Sequence, residues 1–280
     1  MPALLTSTQE LAARLVDNDI VICDCRHDLM DLEKGRRAYA EGHIPGAHFL
    51  HLDIDLSGAK NGKNGRHPLP NVEAFAKKMG SIGIVKSKQV IAYDDAGGPY
   101  AARLWWLLRW LGHDAVTILD GGINQWIGEG RAIDQKLPAA MPKIFVARQN
   151  DNMRVDAKFI LDNLNKPNAV IIDARTPERY RGETEPVDPV AGHIPGAVNR
   201  LFKSNLNANG NFKSATELRQ EFALLLGETK AAQVINQCGS GVTACHNLFV
   251  MELAGLSGAK LYPGSWSEWC ADPARPVAKG

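Results

Sequence analysis

The sequence predicts an α/β protein built from two similar domains in tandem, each a mainly parallel sheet with helices on both faces. Three observations carry this reading. The segment Glu41-Gly42-His43-Ile44-Pro45-Gly46-Ala47 returns as Ala191-Gly192-His193-Ile194-Pro195-Gly196-Ala197, the mark of two copies of one unit. In both copies an apolar run ending in Asp-x-Arg precedes it, at Ile20–Arg26 and Ala169–Arg175. Short apolar runs then alternate with amphipathic helical patterns, as at 101–111 and 216–226, the order expected of a parallel sheet covered on both sides.

Size and composition bound the rest. A chain of 280 residues is comfortable for two ordinary domains, and an apolar fraction of 45% suits a globular protein. The formal net charge is +1, with Lys and Arg scattered along the chain, so neither nucleic acid nor a membrane is an expected partner. The start lacks the charged-then-apolar order of a signal peptide and no run approaches 18 apolar residues, which suggests a cytoplasmic protein. Five cysteines, an odd number without a paired framework, fit a reducing compartment. Cys23 and Cys25 share one strand face, where core packing is favoured over a metal site. No metal or organic cofactor is expected.

Taken in order, Ile20–Arg26 is the first strand of unit one. The Gly-His-Ile-Pro-Gly segments are turns, in which His43 and His193 brace the backbone. Val90–Asp94 matches Val234–Cys238 as the next strand, and Gly121–Trp126 matches Gly264–Trp269. The tract 134–155, with Pro138 and Pro142 and little periodicity, reads as a linker. A cut near residue 145 gives domains 1–145 and 146–280. Ligands are expected at the carboxyl ends of the strands.

The chemistry concentrates in Val234-Ile235-Asn236-Gln237-Cys238-Gly239-Ser240-Gly241-Val242-Thr243-Ala244, a strand running through a glycine-rich turn into a helix. Gly239 and Gly241 admit backbone angles that let successive N–H groups from Gly239 to Ala244 converge on the cysteine sulfur. The dipole of the following helix adds positive potential there. Such a nest favours an anion and makes Cys238 the candidate nucleophile. The first copy has Asp94 where the second has Cys238 and cannot carry sulfur. Cys245 reads as packing, whereas Trp266 and Trp269 suit either a pocket wall or the core.

Cys-Gly-Ser-Gly-Val-Thr-Ala resembles the active-site loop of 3-mercaptopyruvate sulfurtransferases in the rhodanese superfamily, and both Gly-His-Ile-Pro-Gly-Ala copies extend the resemblance over nearly the whole chain. It implies two rhodanese-like domains, the first catalytically degenerate. It further implies an enzyme that takes a sulfane sulfur from a small-molecule donor onto Cys238 as a persulfide. The acceptor is a thiol such as thioredoxin or glutathione, or cyanide. The resemblance assigns Ser240, His67 and Asp55 to a Ser-His-Asp arrangement, with Asp53 an alternative to Asp55. It maps substrate binding to Arg179, with Arg181 nearby, and to Gly239, Gly241, Val242 and Thr243. The first domain is expected to close the site and contribute residues to it.

A second family arginine after Glu-Pro is missing, since Glu185-Pro186 leads into Val187-Asp188; Arg181 or Arg66 would have to replace it. Thiosulfate-preferring members resemble Cys-Arg-Lys-Gly-Val-Thr, with two loop cations. The neutral Gly239 and Ser240 therefore favour the monoanion 3-mercaptopyruvate over thiosulfate, whose sulfurtransferase is the alternative reading. Two rivals remain. A cysteine phosphatase needs a longer loop ending in Arg, yet Ala244 and Cys245 stand there. A non-catalytic binding module presupposes a lost cysteine, and Cys238 is present.

Overall fold

The computed structural model describes residues 3–280 except Ala140, Asn165, Pro167 and Asn168. Met1 and Pro2 of the start, and Ala140 of the linker tract, lie outside the described residues. The chain divides into two compact units. The first comprises residues 1–58, 70–150 and 208–212, and the second 59–69, 151–207 and 213–280. A single cut near 145 does not anticipate that 59–69 belongs to the second unit and 208–212 to the first.

Unit one is a five-stranded parallel sheet. Its strands are β1 (Leu5–Thr6), β2 (Ile20–Asp24), β3 (His48–Phe49), β4 (Gln89–Tyr93) and β5 (Val116–Leu119), in the order β1-β5-β4-β2-β3. Unit two repeats this with β6 (Val170–Asp173), β7 (Val198–Asn199), β8 (Val234–Gln237) and β9 (Lys260–Leu261), in the order β7-β6-β8-β9 and again all parallel. The counterpart of β1 is reduced to a single parallel bridge, Arg154 beside Leu261 of β9, next to which the Val155 N–H donates to the Leu261 carbonyl at 2.9 Å.

Strand alternation sets the core. Ile20 and Ile22 of β2, with Ile91 and Tyr93 of β4, face one cluster completed by Leu11, Ile44 and Trp126. In unit two, Ile171 and Ile235 face Ile160, Ile194, Trp266 and Trp269. Both tryptophans are fully buried, and their indole N–H groups donate to the carbonyls of Val190 and Pro276 at 2.8 Å. They are core anchors.

One element differs from the pattern that announced it. Helix Pro99–Trp110 is buried almost all round and is not amphipathic; the same holds for Thr243–Leu253 after the cysteine loop. Helix Ala215–Leu226 does keep one apolar stripe, Leu218, Phe222 and Leu226, and starts with a Ser214–Glu217 capping box. The two Gly-His-Ile-Pro-Gly turns are alike in detail. His43 Nδ1 bonds the Tyr39 carbonyl at 2.8 Å and stacks on its ring at 3.9 Å; His193 does the same with Tyr180 at 2.7 and 3.9 Å. These histidines brace turns.

The Asp-x-Arg ends of β2 and β6 are buried ion pairs. Arg26 clasps Asp24 and donates to the Gly42 carbonyl; Arg175 clasps Asp173 and donates to the Gly192 carbonyl. Each pair thus pins its turn to the end of a central strand, next to the loop that leaves the neighbouring strand.

Candidate active site

Cys238 leaves β8 at the buried end of the sheet, 2% exposed. Its sulfur accepts the N–H of Gly241 at 3.1 Å and that of Ser240 at 3.5 Å. Gly241 has φ +78°, and a Cβ there would stand 2.3 Å from the Pro263 carbonyl oxygen, so glycine is required both by angle and by space. Val242 and Thr243 then open helix Thr243–Leu253, whose positive end faces the loop.

The loop is held from beneath by the segment after β9. Ser265 Oγ accepts the Cys238 N–H at 3.1 Å and donates to the Tyr262 carbonyl at 2.9 Å, while Trp266 and Ser267 donate their N–H groups to the carbonyls of Cys238 and Gly239. Ser265 adopts φ +52°, the one described non-glycine residue in that region, and strain of this kind persists only where the surroundings enforce it. Sequence reading missed Ser265. Ser265→Ala should lower kcat about tenfold, through an unsatisfied buried N–H at the nucleophile, with KM little changed; steady-state kinetics beside a thermal melt check this.

His67 reaches the loop within the second unit, its Nδ1 2.7 Å from Ser240 Oγ, both residues buried. Asp55 belongs to the first unit, where its carboxylate accepts the His51 N–H at 2.8 Å and pairs with Lys78 at 3.0 Å. The Asp53 N–H donates to His51 Nδ1, and its carboxylate stands 3.8 Å from His27. His27, His51 and Asp53 come close enough to suggest a metal, yet His51 uses both nitrogens, Nδ1 for Asp53 and Nε2 for the Leu32 carbonyl at 3.0 Å.

Two guanidinium groups stand over the loop. A Cβ on Gly239 would lie 2.8 Å from Arg66 Nη2 and 3.5 Å from Arg179 Nη1; the volume of a loop side chain is filled by cations from elsewhere in the unit. Arg66 is held there by its backbone, whose N–H donates to Ser267 Oγ at 3.0 Å. Arg181 is not gathered here; it forks onto Glu183 at 2.6 and 3.0 Å, half-exposed.

Carboxylates accompany both cations. Asp188 places Oδ1 on Arg66 and Oδ2 on Arg179, the latter at 3.1 Å, and Glu185 takes Arg179 at 2.6 and 3.2 Å. Burial pushes the Asp188 carboxyl above its usual range against the pull of Arg66 and Arg179. Burial also pushes Glu185 up, but hydrogen bonds from Arg179 and the Asp188 and Val187 N–H groups outweigh it and hold Glu185 low.

The first unit carries the same nest with a different occupant. The Asp94 carboxylate, fully buried after β4, accepts the N–H groups of Ala96, Gly98, Tyr100 and Ala101 at 2.8 to 3.0 Å. Burial raises its carboxyl above the ordinary value, while four donors converge on it. An anion built into the chain fills this copy of the cradle.

A Rhodanese-like domain model matches residues 7–129 and again 156–272. The chain belongs to the rhodanese family. Within the family it is a sulfurtransferase: it is 46% identical, over 99% of both chains, to the "Probable 3-mercaptopyruvate sulfurtransferase" of Pseudomonas aeruginosa. It is 35% identical to the bovine (Bos taurus) thiosulfate sulfurtransferase over 88% of this chain and 84% of that one. Among solved structures it is similar to SseA of Escherichia coli, described as a 3-mercaptopyruvate sulfotransferase, with a TM-score of 0.80 and 31% identity over 94% of this chain and 99% of that one. The tandem α/β rhodanese fold expected from the repeats is thus the fold of the family. Among the described residues, no helix is long and apolar enough to cross a membrane.

Proposed function

We propose that this sulfurtransferase takes its sulfur from 3-mercaptopyruvate and passes it through a Cys238 persulfide to a thiol acceptor. The observation that carries this reading is the loop itself: a sulfur seated on two backbone N–H groups at a helix start, with a neutral Gly239 beneath two guanidiniums already matched by carboxylates.

The Cys238 thiolate attacks the donor sulfur, the carbon–sulfur bond breaks, and its electron pair passes onto the carbonyl-conjugated carbon as the pyruvate enolate. A proton then completes pyruvate. Sulfur is oxidised by one step as the S–S bond forms, and the former thiol carbon is reduced to a methyl group. Ser240, hydrogen-bonded to His67, polarises the donor carbonyl, and the Arg66 Nη2 and Arg179 Nη1 groups facing Gly239 hold the donor carboxylate. An acceptor thiolate next attacks the outer sulfur and returns Cys238 as thiolate, which the same N–H groups receive. Thioredoxin, glutathione and cyanide all offer the needed nucleophile. The five cysteines lie buried within the described structure, as suits a reducing, cytoplasmic setting.

The test is kcat/KM with 3-mercaptopyruvate and with thiosulfate, side by side at fixed pH and ionic strength, with cyanide as acceptor. The expected result is a preference for mercaptopyruvate of at least about tenfold, from the unmatched second charge of thiosulfate. A preference for thiosulfate would overturn the donor assignment and leave Cys238 in place.

A further inference from the structure

Asp188 stands where sequence reading looked for a second substrate arginine, and its placement has the form of a bound substrate. One carboxylate bridges two guanidiniums, Oδ1 on Arg66 and Oδ2 on Arg179, at 3% side-chain exposure. It does not hang on a loose arm. The N–H groups of Val187 and Asp188 both donate to Glu185 Oε1, at 3.1 and 3.0 Å, and Glu185 is anchored in turn on Arg179 and on Arg175 at 3.3 Å. Pro186 and Pro189 flank Val187 and Asp188, each with its own φ locked by the ring.

The charges over the loop therefore cancel in pairs: Arg66 and Arg179 against Asp188 and Glu185, and Arg175 against Asp173. Two bare guanidiniums would suit a dianion. A clamp in which each cation already has a carboxylate, and offers only its remaining N–H groups toward Gly239, suits a donor with one negative charge. We propose that Asp188 is a specificity-determining residue, a built-in counter-anion that holds Arg66 and Arg179 in place and penalises doubly charged sulfur donors. This rests on the donor reading above and adds the residue that enforces it.

The experiment compares wild type, Asp188→Asn and Asp188→Glu in kcat/KM for mercaptopyruvate and for thiosulfate. Removing one negative charge a few ångströms from the donor should raise the thiosulfate-to-mercaptopyruvate ratio about tenfold in Asp188→Asn. Asp188→Glu, which keeps the charge, should return the ratio toward wild type. A purely structural role would lower both donors in proportion, and that result would overturn the inference. So would an unmoved ratio in Asp188→Asn when wild type prefers mercaptopyruvate. Wild type that uses neither donor would sink the donor reading and the inference together. A measurement without variants guards against misfolding: thiosulfate kcat/KM of wild type should change little with added salt, because the clamp is neutral overall, whereas a steep fall would indicate uncompensated cations and contradict the proposal.

Discussion

Cys238→Ser should carry no cyanide-releasable sulfur after incubation with a donor, and its turnover should fall by about ten-thousandfold or more. The hydroxyl fits the same space and can accept the Ser240 and Gly241 N–H groups, so the melting temperature should stay near that of wild type. What is lost is the soft anion that attacks sulfur and the S–S bond that stores it. No other cysteine can stand in. Burial pushes the Cys23 and Cys25 thiols far above their usual range, and pushes Cys270 up to about 11. Cys245 is fully buried and turns its sulfur to the Gly241 carbonyl at 3.3 Å. Substantial transfer by the serine variant, measured as thiocyanate formation, would mean that sulfur moves without Cys238 and would end the persulfide scheme.

The repeat made the fold legible because both copies depend on the same local chemistry. Asp-x-Arg closes a central strand, and Gly-His-Ile-Pro-Gly folds back so that a histidine can stack on a tyrosine 4 residues earlier in the first copy and 13 earlier in the second. These are short-range constraints, and sequence displays them. Helix Pro99–Trp110 was less readable: a helix covered on nearly all sides carries no polar stripe, so its pattern gives the element without its environment. The site was legible at Cys238 and, through resemblance, at the Ser240–His67 contact. It was not legible where partners are distant in sequence. Nothing near Asp188 announces Arg66, and nothing near Ser265 announces the Cys238 N–H it receives. A loop such as 59–69, rich in glycine and without periodicity, gives no sign of which core it joins. The one signal available was negative: Val187-Asp188 in place of an expected arginine, which the geometry turns into a carboxylate already seated between two cations.

Arg175→Ala should destabilise the second unit by about 3–5 kcal/mol, the cost of leaving a buried charge without its partner. Arg175 is almost wholly buried, and burial alone would weaken its charge, but the Asp173 carboxylate outweighs this and holds the guanidinium firmly protonated. The same side chain donates to the Gly192 carbonyl at 2.7 Å, supports Glu185 at 3.3 Å and lies over the Trp266 ring at 4.8 Å. Its removal therefore strands Asp173 at the end of β6, loosens the turn at His193, and frees the carboxylate that positions Arg179. Urea unfolding of the full chain should show the loss as a lowered midpoint, analysed with a transition for each unit because two units need not unfold together. Arg175→Met paired with Asp173→Leu should recover part of it, since the penalty comes from the unmatched charge more than from lost volume. An Arg175→Ala variant as stable as wild type would show that water reaches Asp173, and that the ion pair repeated at Asp24–Arg26 is not what fastens these turns to their sheets.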